Sequence, residues 1–319
     1  MMKNIVILDG KTLGDLDFKL LEEFGEVTYY DLTKPEEVSE RIKDSNIVIT
    51  NKVVLNENNM KEAKNLEIIA EAATGFNNID IEYAKSKNIA VANVAGYSTD
   101  TVVQHTFATV LHLYDKIAYY DNYVKSLEYS KSGVFTSLDR PFYDLKGKTW
   151  GIVGLGAIGR GVAKVAEAFG VNVVYYSTTG KNNNSEYKRV ELYELLKDSD
   201  IISIHAPLNE KTNGLMNYEN MKKMKKSALL VNMGRGPIVV EEDLRKAIDE
   251  NIIGGACLDV FSVEPLSEDS ELLKIKNKEK VVFTPHIAWA SVDARERLFN
   301  GILENLRAFY KGEKLNRIV

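Results

Sequence analysis

The sequence has 319 residues, of which 45% are hydrophobic and 27% are charged, a balance typical of globular proteins. Its formal charge of −5 at pH 7 and its lack of a basic tract exclude nucleic acid and anionic membrane surfaces as expected partners. The one cysteine, Cys257, excludes an intramolecular disulfide framework.

The N-terminal segment MMKNIVILDG suits a first strand better than a signal peptide, because its apolar run is interrupted at Asp9. No stretch approaches the roughly 18 unbroken apolar residues of a membrane span. We therefore expect a cytoplasmic protein. The chain has no His, Cys, Asp or Glu cluster with ligand spacing, so we expect no metal site.

The first ninety or so residues alternate short β-rich runs with helical patterns. Strands are predicted at residues 4–8, 27–30, 46–50, 67–72 and 89–94, and helices at residues 17–24, 35–43, 57–64 and 81–87. Such alternation is typical of a parallel sheet covered by helices on both faces. From Thr99 to about Tyr123, apolar residues at helical spacing predict one long helix, and an irregular segment follows to Lys148.

A second α/β series begins at Lys148. Strands are predicted at residues 149–153, 171–176, 200–204, 227–232, 254–260 and 281–285, with a helix at 157–169 after the first of them. A final amphipathic helix is predicted from Ser291 to about Tyr310. The repeated unit is a strand followed by a helix, in two blocks, which predicts two doubly wound parallel-sheet domains.

The segment GLGAIG matches the pattern G-x-G-x-x-G, with candidate ligand-binding residues Gly154, Gly156, Ala157, Ile158 and Gly159. It follows an apolar strand and opens an amphipathic helix, which is the context that a dinucleotide pyrophosphate requires. The pyrophosphate would lie on the positive end of that helix. The alternative interpretation is a glycine-rich turn that binds nothing.

The strand after this motif does not end in the acidic residue that binds the ribose 2′-hydroxyl of NAD. Ser177 and Thr178 stand at that place, and Lys181 follows. Two hydroxyl groups and a lysine would accept the 2′-phosphate of NADP, but they also fit a solvated loop beside the ribose of NAD. The sequence leaves the choice between NAD and NADP open.

Three further strand ends each carry one polar residue: Arg235, Glu264 and His286. The carboxyl ends of parallel strands meet at one edge of a sheet, so these side chains are expected to converge. Arg provides a fixed charge that binds a carboxylate and polarises a ketone. His exchanges a proton with the new hydroxyl, and a neighbouring Glu favours the protonated imidazole and fixes its tautomer. The set suits hydride transfer to a 2-keto acid, although each residue taken singly also fits a surface or loop role.

The chain resembles the D-isomer-specific 2-hydroxyacid dehydrogenases over nearly its whole length. The resemblance is carried by ATGFNNID (73–80), NVAGYSTDTVVQHTFATVLHL (93–113), LKGKTWGIVGLGAIG (145–159), DIISIHAPLNEKTNGLM (200–216), LLVNMGRGPIVVEEDLRKAI (229–248), GACLDVFSVEPL (255–266) and TPHIAWAS (284–291).

The resemblance implies that Arg235, Glu264 and His286 are the catalytic residues. It adds several candidate binding residues. Those for the cofactor are His205, Pro207, Met233 and Asp259, and those for the substrate carboxylate are Asn51, Lys52, Thr74 and Gly75, together with Arg235 and His286. His105 and His112, on the predicted long helix, are interpreted as structural.

The resemblance also implies a Rossmann dinucleotide-binding domain inserted into a flavodoxin-like substrate-binding domain. We place the former at residues 98–290 and the latter at residues 1–97 plus 291–319. Members of the family are usually dimeric through the dinucleotide-binding domain, so a homodimer is expected.

Within the family, the segments YSTDTVVQHTF and PHIAWAS are most similar to glycerate dehydrogenase, also called hydroxypyruvate reductase. The predicted reaction is therefore reduction of hydroxypyruvate or glyoxylate to D-glycerate or glycolate with NADH or NADPH. The alternatives are a D-lactate-type or other D-2-hydroxyacid dehydrogenase, or a dinucleotide-sensing regulator of the same fold without enzymatic activity.

Overall fold

The computed structural model describes residues 2–319 as two compact α/β units. Unit 1 comprises residues 2–98 and Ala290–Val319, and unit 2 comprises Thr99–Trp289. The strands are β1 (Lys3–Ile7), β2 (Gly25–Tyr29), β3 (Ile47–Thr50), β4 (Ile68–Glu71), β5 (Ala90–Ala92), β6 (Thr149–Val153), β7 (Asn172–Tyr176), β8 (Lys188–Arg189), β9 (Ile201–Ile204), β10 (Leu229–Asn232), β11 (Gly255–Leu258) and β12 (Val281–Phe283).

The α-helices are α1 (Val38–Ile42), α2 (Glu57–Met60), α3 (Ile81–Ser86), α4 (Thr99–Tyr114), α5 (Ile117–Lys125), α6 (Glu128–Lys131), α7 (Ala157–Ala168), α8 (Leu192–Asp198), α9 (Tyr218–Met221), α10 (Glu241–Asp249) and α11 (Val292–Tyr310). Short 3₁₀ helices span Gly10–Thr12, Phe18–Glu23, Pro35–Glu37, Gly236–Ile238, Glu271–Lys274 and Lys278–Lys280. No helix within residues 2–319 combines the length and the apolar character needed to cross a bilayer.

Unit 1 contains a five-stranded sheet in the order β2-β1-β3-β4-β5, and all of its pairings are parallel. Isoleucine and valine fill its central strands, and Ile5, Ile47 and Ile68 are fully buried. The chain order reverses between β1 and β3, so the loops after these two strands, which begin at Leu8 and Asn51, lie side by side.

Unit 2 contains a seven-stranded parallel sheet in the order β12-β11-β10-β9-β6-β7-β8. Its chain order reverses between β6 and β9, the place where doubly wound sheets bind ligands at their carboxyl ends. Two large aromatic side chains, Trp150 and Tyr175, are fully buried in its core, and the Trp150 indole N–H donates to Ser203 Oγ at 2.8 Å. Cys257 is also fully buried, and this burial raises the pKa of its thiol to about 12. The prediction of two parallel-sheet α/β domains is confirmed.

Two helix predictions were wrong in detail. The helix predicted from Thr99 to about Tyr123 is two helices, α4 and α5, because Lys116 between them adopts a left-handed conformation with φ of 58°. The segment predicted as an amphipathic helix at residues 17–24 forms a 3₁₀ helix, Phe18–Glu23, in which only Leu21 is buried. Short segments of this kind follow their tertiary contacts more than their hydrophobic period.

A buried carboxyl group lies at the end of β4. Glu71 is fully buried, its Oε2 accepts a hydrogen bond from Asn78 Nδ2 at 3.1 Å, and its Oε1 has no partner. Desolvation raises the pKa of Glu71 to about 8; the Asn78 hydrogen bond and the charge of Lys52 oppose this rise, and the charge of Asp9 adds to it. The side chain is therefore protonated in the folded protein at neutral pH.

We predict that Glu71→Gln makes the free energy of unfolding less dependent on pH. The pKa of Glu71 is higher in the folded protein than the unfolded value of 4.5, so the unfolded chain releases the proton first as pH rises. The stability of the wild type therefore falls between pH 4.5 and pH 8. Glutamine keeps an acceptor for Asn78 and does not ionise. Thermal unfolding should show the variant gaining about 2–4 kcal/mol over wild type between pH 5 and pH 8. Replacing the exposed Glu26 by Gln is the control, and parallel stability curves for wild type and Glu71→Gln would contradict the assignment.

Candidate functional site

The glycine motif forms the turn between β6 and α7. Gly154 has φ of +91°, and a Cβ atom there would lie 3.0 Å from Ala206. A Cβ atom on Gly159 would lie 2.3 Å from the Gly154 carbonyl oxygen. These two glycines are therefore required by the fold, the first by its conformation and the second by close packing of helix on turn.

Gly156, in contrast, is not required by the fold. Its φ of −81° suits any residue, and a Cβ atom there would meet no protein atom within 4 Å. Gly156 is the N-cap of α7, and because glycine has no side chain it does not cap the N–H groups of the first turn. The backbone N–H groups at this helix end and the open space above them fit the pyrophosphate of a dinucleotide.

His205 follows β9, on the other side of the point where the sheet reverses. Both of its ring nitrogens are buried and have no hydrogen-bond partner, and burial lowers the pKa of the imidazole to about 3. The ring is therefore neutral and offers one donor and one acceptor. The neighbouring Pro207 carbonyl accepts from Thr212 Oγ1 at 2.7 Å, which holds the loop after β9.

The loop after β7 is ordered by its own polar groups. Ser177 and Thr178 are buried, and Ser177 Oγ accepts from the Asn182 backbone N–H at 3.3 Å. Lys181 is exposed. Arg189 on β8, which sequence analysis missed, donates to the Gly180 carbonyl at 2.9 Å and to Asn183 Oδ1 at 2.8 Å. The loop therefore contains two hydroxyl groups and a lysine, is bound by Arg189, and has no acid at the position that would select NAD.

Arg235 lies just beyond β10 in a segment fixed by Asn232. Asn232 Nδ2 donates to the Arg235 carbonyl at 2.9 Å, and Asn232 Oδ1 accepts from the Gly234 N–H at 3.0 Å. The half-buried guanidinium donates to the Gly234 carbonyl at 2.8 Å and pairs with no carboxylate in residues 2–319. Met233, one residue after β10, is buried. A partly buried cation that pairs with no carboxylate is suited to an anionic ligand.

Glu264 and His286 form a close polar pair at this edge of the sheet. His286 Nδ1 lies 2.7 Å from Glu264 Oε2, and Glu264 Oε1 accepts from the Phe261 N–H at 2.9 Å. The bond at Nδ1 leaves Nε2 to exchange a proton with a ligand. A Cβ atom on Gly236 would lie 1.9 Å from the Phe261 carbonyl carbon, so the Arg235 segment packs directly on the segment that carries Glu264. Arg235, Glu264 and His286 thus follow three neighbouring strands, β10, β11 and β12, and the convergence of their side chains on one ligand stays a prediction.

The His286 backbone is held by the buried carboxylate of Asp259. Asp259 Oδ1 accepts from Thr284 Oγ1 at 2.6 Å and from the Ile287 N–H at 2.9 Å, and Oδ2 accepts from the Ala288 N–H at 2.8 Å. His286 itself has φ of +55°, a left-handed conformation that costs a non-glycine residue about 1–2 kcal/mol. The observed contacts make Asp259 a support of this loop, and its predicted contact with the nicotinamide carboxamide stays a prediction.

The candidate carboxylate-binding residues belong to unit 1. Asn51 and Lys52 follow β3, and their N–H groups donate to the Asp9 carboxylate at 3.0 and 2.7 Å. The Thr74 hydroxyl donates to the Val94 carbonyl at 3.2 Å. The N–H groups of Thr74 and Gly75, in the turn after β4, donate to no acceptor in residues 2–319. This pair of free donors fits a carboxylate, while the Asn51 side chain is occupied by Thr12 Oγ1 at 3.1 Å.

Comparison with known proteins identifies the family. Residues 107–288 match the model of the D-isomer specific 2-hydroxyacid dehydrogenase, NAD binding domain. A hydroxypyruvate reductase of Blautia hydrogenotrophica is 39% identical over 98% of this chain and 98% of its own length. The chain belongs to the D-isomer-specific 2-hydroxyacid dehydrogenase family. It is an NAD(P)-dependent oxidoreductase, which confirms the family and cofactor class predicted from the sequence.

Two further comparisons extend over whole chains. A glycerate dehydrogenase of Methylorubrum extorquens is 36% identical over 99% of this dehydrogenase and 99% of the relative. The crystal structure of an NADPH-dependent glyoxylate/hydroxypyruvate reductase of Sinorhizobium meliloti with NADP and malonate has a TM-score of 0.85 and 25% identity, and it covers 100% of this chain and 97% of that one. Within residues 2–319 of the dehydrogenase, no group of three or more His, Cys, Asp and Glu side chains is placed to hold a metal ion.

We predict that Gly156→Val folds normally and loses dinucleotide affinity. The backbone at Gly156 accepts a β-branched residue, and the added side chain meets no protein atom but fills the space that a phosphate needs. Titration of NADH fluorescence should show affinity weakened at least about tenfold, which is about 1.4 kcal/mol, with unchanged thermal unfolding. Gly159→Ala is the contrast, because its Cβ would collide with the Gly154 carbonyl and lower stability as well. Wild-type affinity in Gly156→Val would rule out this cradle.

Proposed function

We propose that this dehydrogenase reduces small 2-keto acids to D-2-hydroxy acids, with hydroxypyruvate and glyoxylate as the preferred substrates. The half-buried guanidinium of Arg235, which has no carboxylate partner in residues 2–319, carries this proposal, because a 2-keto acid supplies the missing anion. The relatives named hydroxypyruvate reductase and glycerate dehydrogenase support this choice of substrates, with products D-glycerate and glycolate.

Each residue of the proposed site has a distinct task. Arg235 binds the substrate carboxylate and polarises the ketone with its planar, permanently charged fork. His286 donates a proton from Nε2 to the oxygen that becomes the hydroxyl, and Glu264 at Nδ1 stabilises the charged imidazole before that transfer. The bound nicotinamide supplies the hydride. Gly154, Gly156, Ala157, Ile158 and Gly159 would hold the pyrophosphate on the N-terminus of α7.

The coenzyme preference follows from the loop after β7. The loop has no acid to repel a 2′-phosphate, and Lys181 and Arg189 provide positive charge beside the hydroxyl groups of Ser177 and Thr178. We therefore propose that NADPH is accepted as well as NADH. A regulator of the same fold without activity is not favoured, because the Glu264–His286 pair and the unpaired Arg235 are in place.

We predict that Arg235→Ala reduces kcat/KM for hydroxypyruvate by about 10²–10³-fold or more, since it removes the group that stabilises developing charge on the ketone oxygen. The measurement is oxidation of NADH and of NADPH with hydroxypyruvate, glyoxylate, pyruvate and longer 2-keto acids. Arg245→Ala is the matched control, because Arg245 on α10 pairs with Glu271 and lies outside the proposed site. Undiminished turnover in Arg235→Ala, or no turnover of any 2-keto acid by the wild type, would refute the proposed reaction.

The segment from α5 to residue 143 favours a second copy of the chain as partner. Several of its apolar side chains are more than half exposed although the segment is ordered by hydrogen bonds such as Tyr129 Oη to the Phe135 carbonyl at 2.9 Å. The most exposed are Leu127, Val134, Phe135, Leu138 and Tyr143. Large apolar patches are rare on the surface of monomers. We propose that this exposed segment forms the interface of a homodimer. The cytoplasmic location of the protein stays a prediction.

We predict that Phe135→Asp combined with Leu138→Asp yields monomers, because two charges would be buried at the proposed interface. Phe135 is 90% exposed and Leu138 82% exposed, so the substitutions do not disturb the core of unit 2. Light scattering coupled to size-exclusion chromatography measures the mass. Tyr193→Asp, at another exposed aromatic of unit 2, should leave the dimer intact. A wild-type monomer, or a dimeric double variant, would rule out this interface.

A further inference from the structure

His105 is a histidine that the proposed reaction does not use. It lies on α4, and its Nε2 is 3.0 Å from Thr284 Oγ1 and 3.6 Å from Asp259 Oδ1. Only 19% of the side chain is exposed. Within residues 2–319 its ring makes no other polar contact, so its one hydrogen bond is directed at the loop that carries His286.

The direction of the hydrogen bonds follows from the chemistry of the groups. Asp259 accepts from two backbone N–H groups, and Thr284 Oγ1 lies 2.6 Å from its Oδ1, so the hydroxyl donates to the carboxylate. Thr284 Oγ1 then has only lone pairs left for His105. His105 Nε2 must therefore carry the proton, and the chain of donation runs from His105 to Thr284 to Asp259.

This chain ends on the backbone of the catalytic loop. Asp259 holds the N–H groups of Ile287 and Ala288, the two residues after His286, and its own carbonyl accepts the His286 N–H at 2.8 Å. His286 has φ of +55°, a conformation that persists only where surrounding contacts fix it. A shift of the Asp259 carboxylate would therefore move the imidazole that exchanges the proton.

We propose that His105 is a positioning residue for His286, acting through Thr284 and Asp259. Its Nε2–H fixes the rotamer of the Thr284 hydroxyl, which fixes the carboxylate and so the direction of the His286 ring. The expected loss of kcat rests on the proposed reaction. The expected loosening of the loop after β12 rests on the hydrogen bonds alone. Helix α4, which buries Val102, Val103 and Phe107 in the core of unit 2, provides the rigid base for His105.

The kinetic test compares two pairs of variants of the full chain. His105→Phe removes the donor and keeps a ring, and His105→Gln restores a donor near the place of Nε2. Thr284→Val removes the relay hydroxyl, and Thr284→Ser restores it. We expect His105→Phe and Thr284→Val to lower kcat by roughly 10- to 100-fold with KM for hydroxypyruvate changed less than about twofold, because the reacting groups are misaligned rather than lost. The Gln and Ser variants should recover most of kcat. A kcat near wild type in His105→Phe, or no rescue by His105→Gln, would overturn the proposal.

A second measurement does not depend on activity. Hydrogen exchange at the Ile287 and Ala288 amides should become faster in His105→Phe and Thr284→Val, because the carboxylate that accepts from both amides is then no longer fixed. Unchanged exchange at both amides would overturn the positioning role even if the wild type reduces hydroxypyruvate. Faster exchange in a protein that reduces no 2-keto acid would support the hydrogen-bonded chain and refute the proposed reaction instead.

Discussion

The geometry of the site in unit 2 depends on one buried carboxylate, that of Asp259. It accepts one hydroxyl and two backbone N–H groups from the loop after β12. Hydrogen bonds to a charged group contribute about 1.5–3 kcal/mol each. The left-handed backbone of His286 costs about 1–2 kcal/mol. Three such bonds outweigh that strain, so the loop keeps a conformation that its sequence alone would not favour.

The order of strands in unit 2 separates two kinds of chemistry. Arg235, Glu264 and His286 follow β10, β11 and β12, which are neighbours at one side of the sheet. The glycine turn follows β6 and His205 follows β9, at the point where the chain order reverses. In the proposed reaction, the backbone groups that bind an anion lie beside β6, and the histidine that exchanges a proton follows β12. A ligand that spans both must be extended, which suits a dinucleotide whose reactive ring lies far from its pyrophosphate.

Much of this arrangement was predictable from the sequence. Apolar runs of four or five residues marked the strands, and Gly154, Gly156 and Gly159 lie in the strand-to-helix turn where the motif placed them. Arg235, Glu264 and His286 follow the neighbouring strands β10, β11 and β12, as the predicted parallel sheet requires. Periodicity failed at Lys116, where a single left-handed residue divides a continuous apolar pattern into two helices. A hydrophobic period reports which residues face the core and does not report one backbone dihedral angle.

The features that sequence analysis missed arise from long-range polar contacts. His105 and Thr284 are 179 residues apart, and nothing local to either indicates their hydrogen bond. Arg189 stands on a two-residue strand too short to show alternation, so its contacts with the loop after β7 were not predicted. The observed contacts support the proposed roles of Arg235, Glu264, His286 and the cofactor-binding residues. Each of these roles stays a prediction.

Both units use the same physical device at their sheet edges. In unit 1, Asp9 follows β1 and binds the N–H groups of Asn51 and Lys52 in the loop after the adjacent strand β3. In unit 2, Asp259 follows β11 and binds the N–H groups of Ile287 and Ala288 in the loop after the adjacent strand β12. Loops at the carboxyl ends of parallel strands have backbone donors that the sheet does not satisfy. A buried carboxylate on the neighbouring strand satisfies them and fixes the loop, so the residues that the loop presents to a ligand are positioned before the ligand arrives.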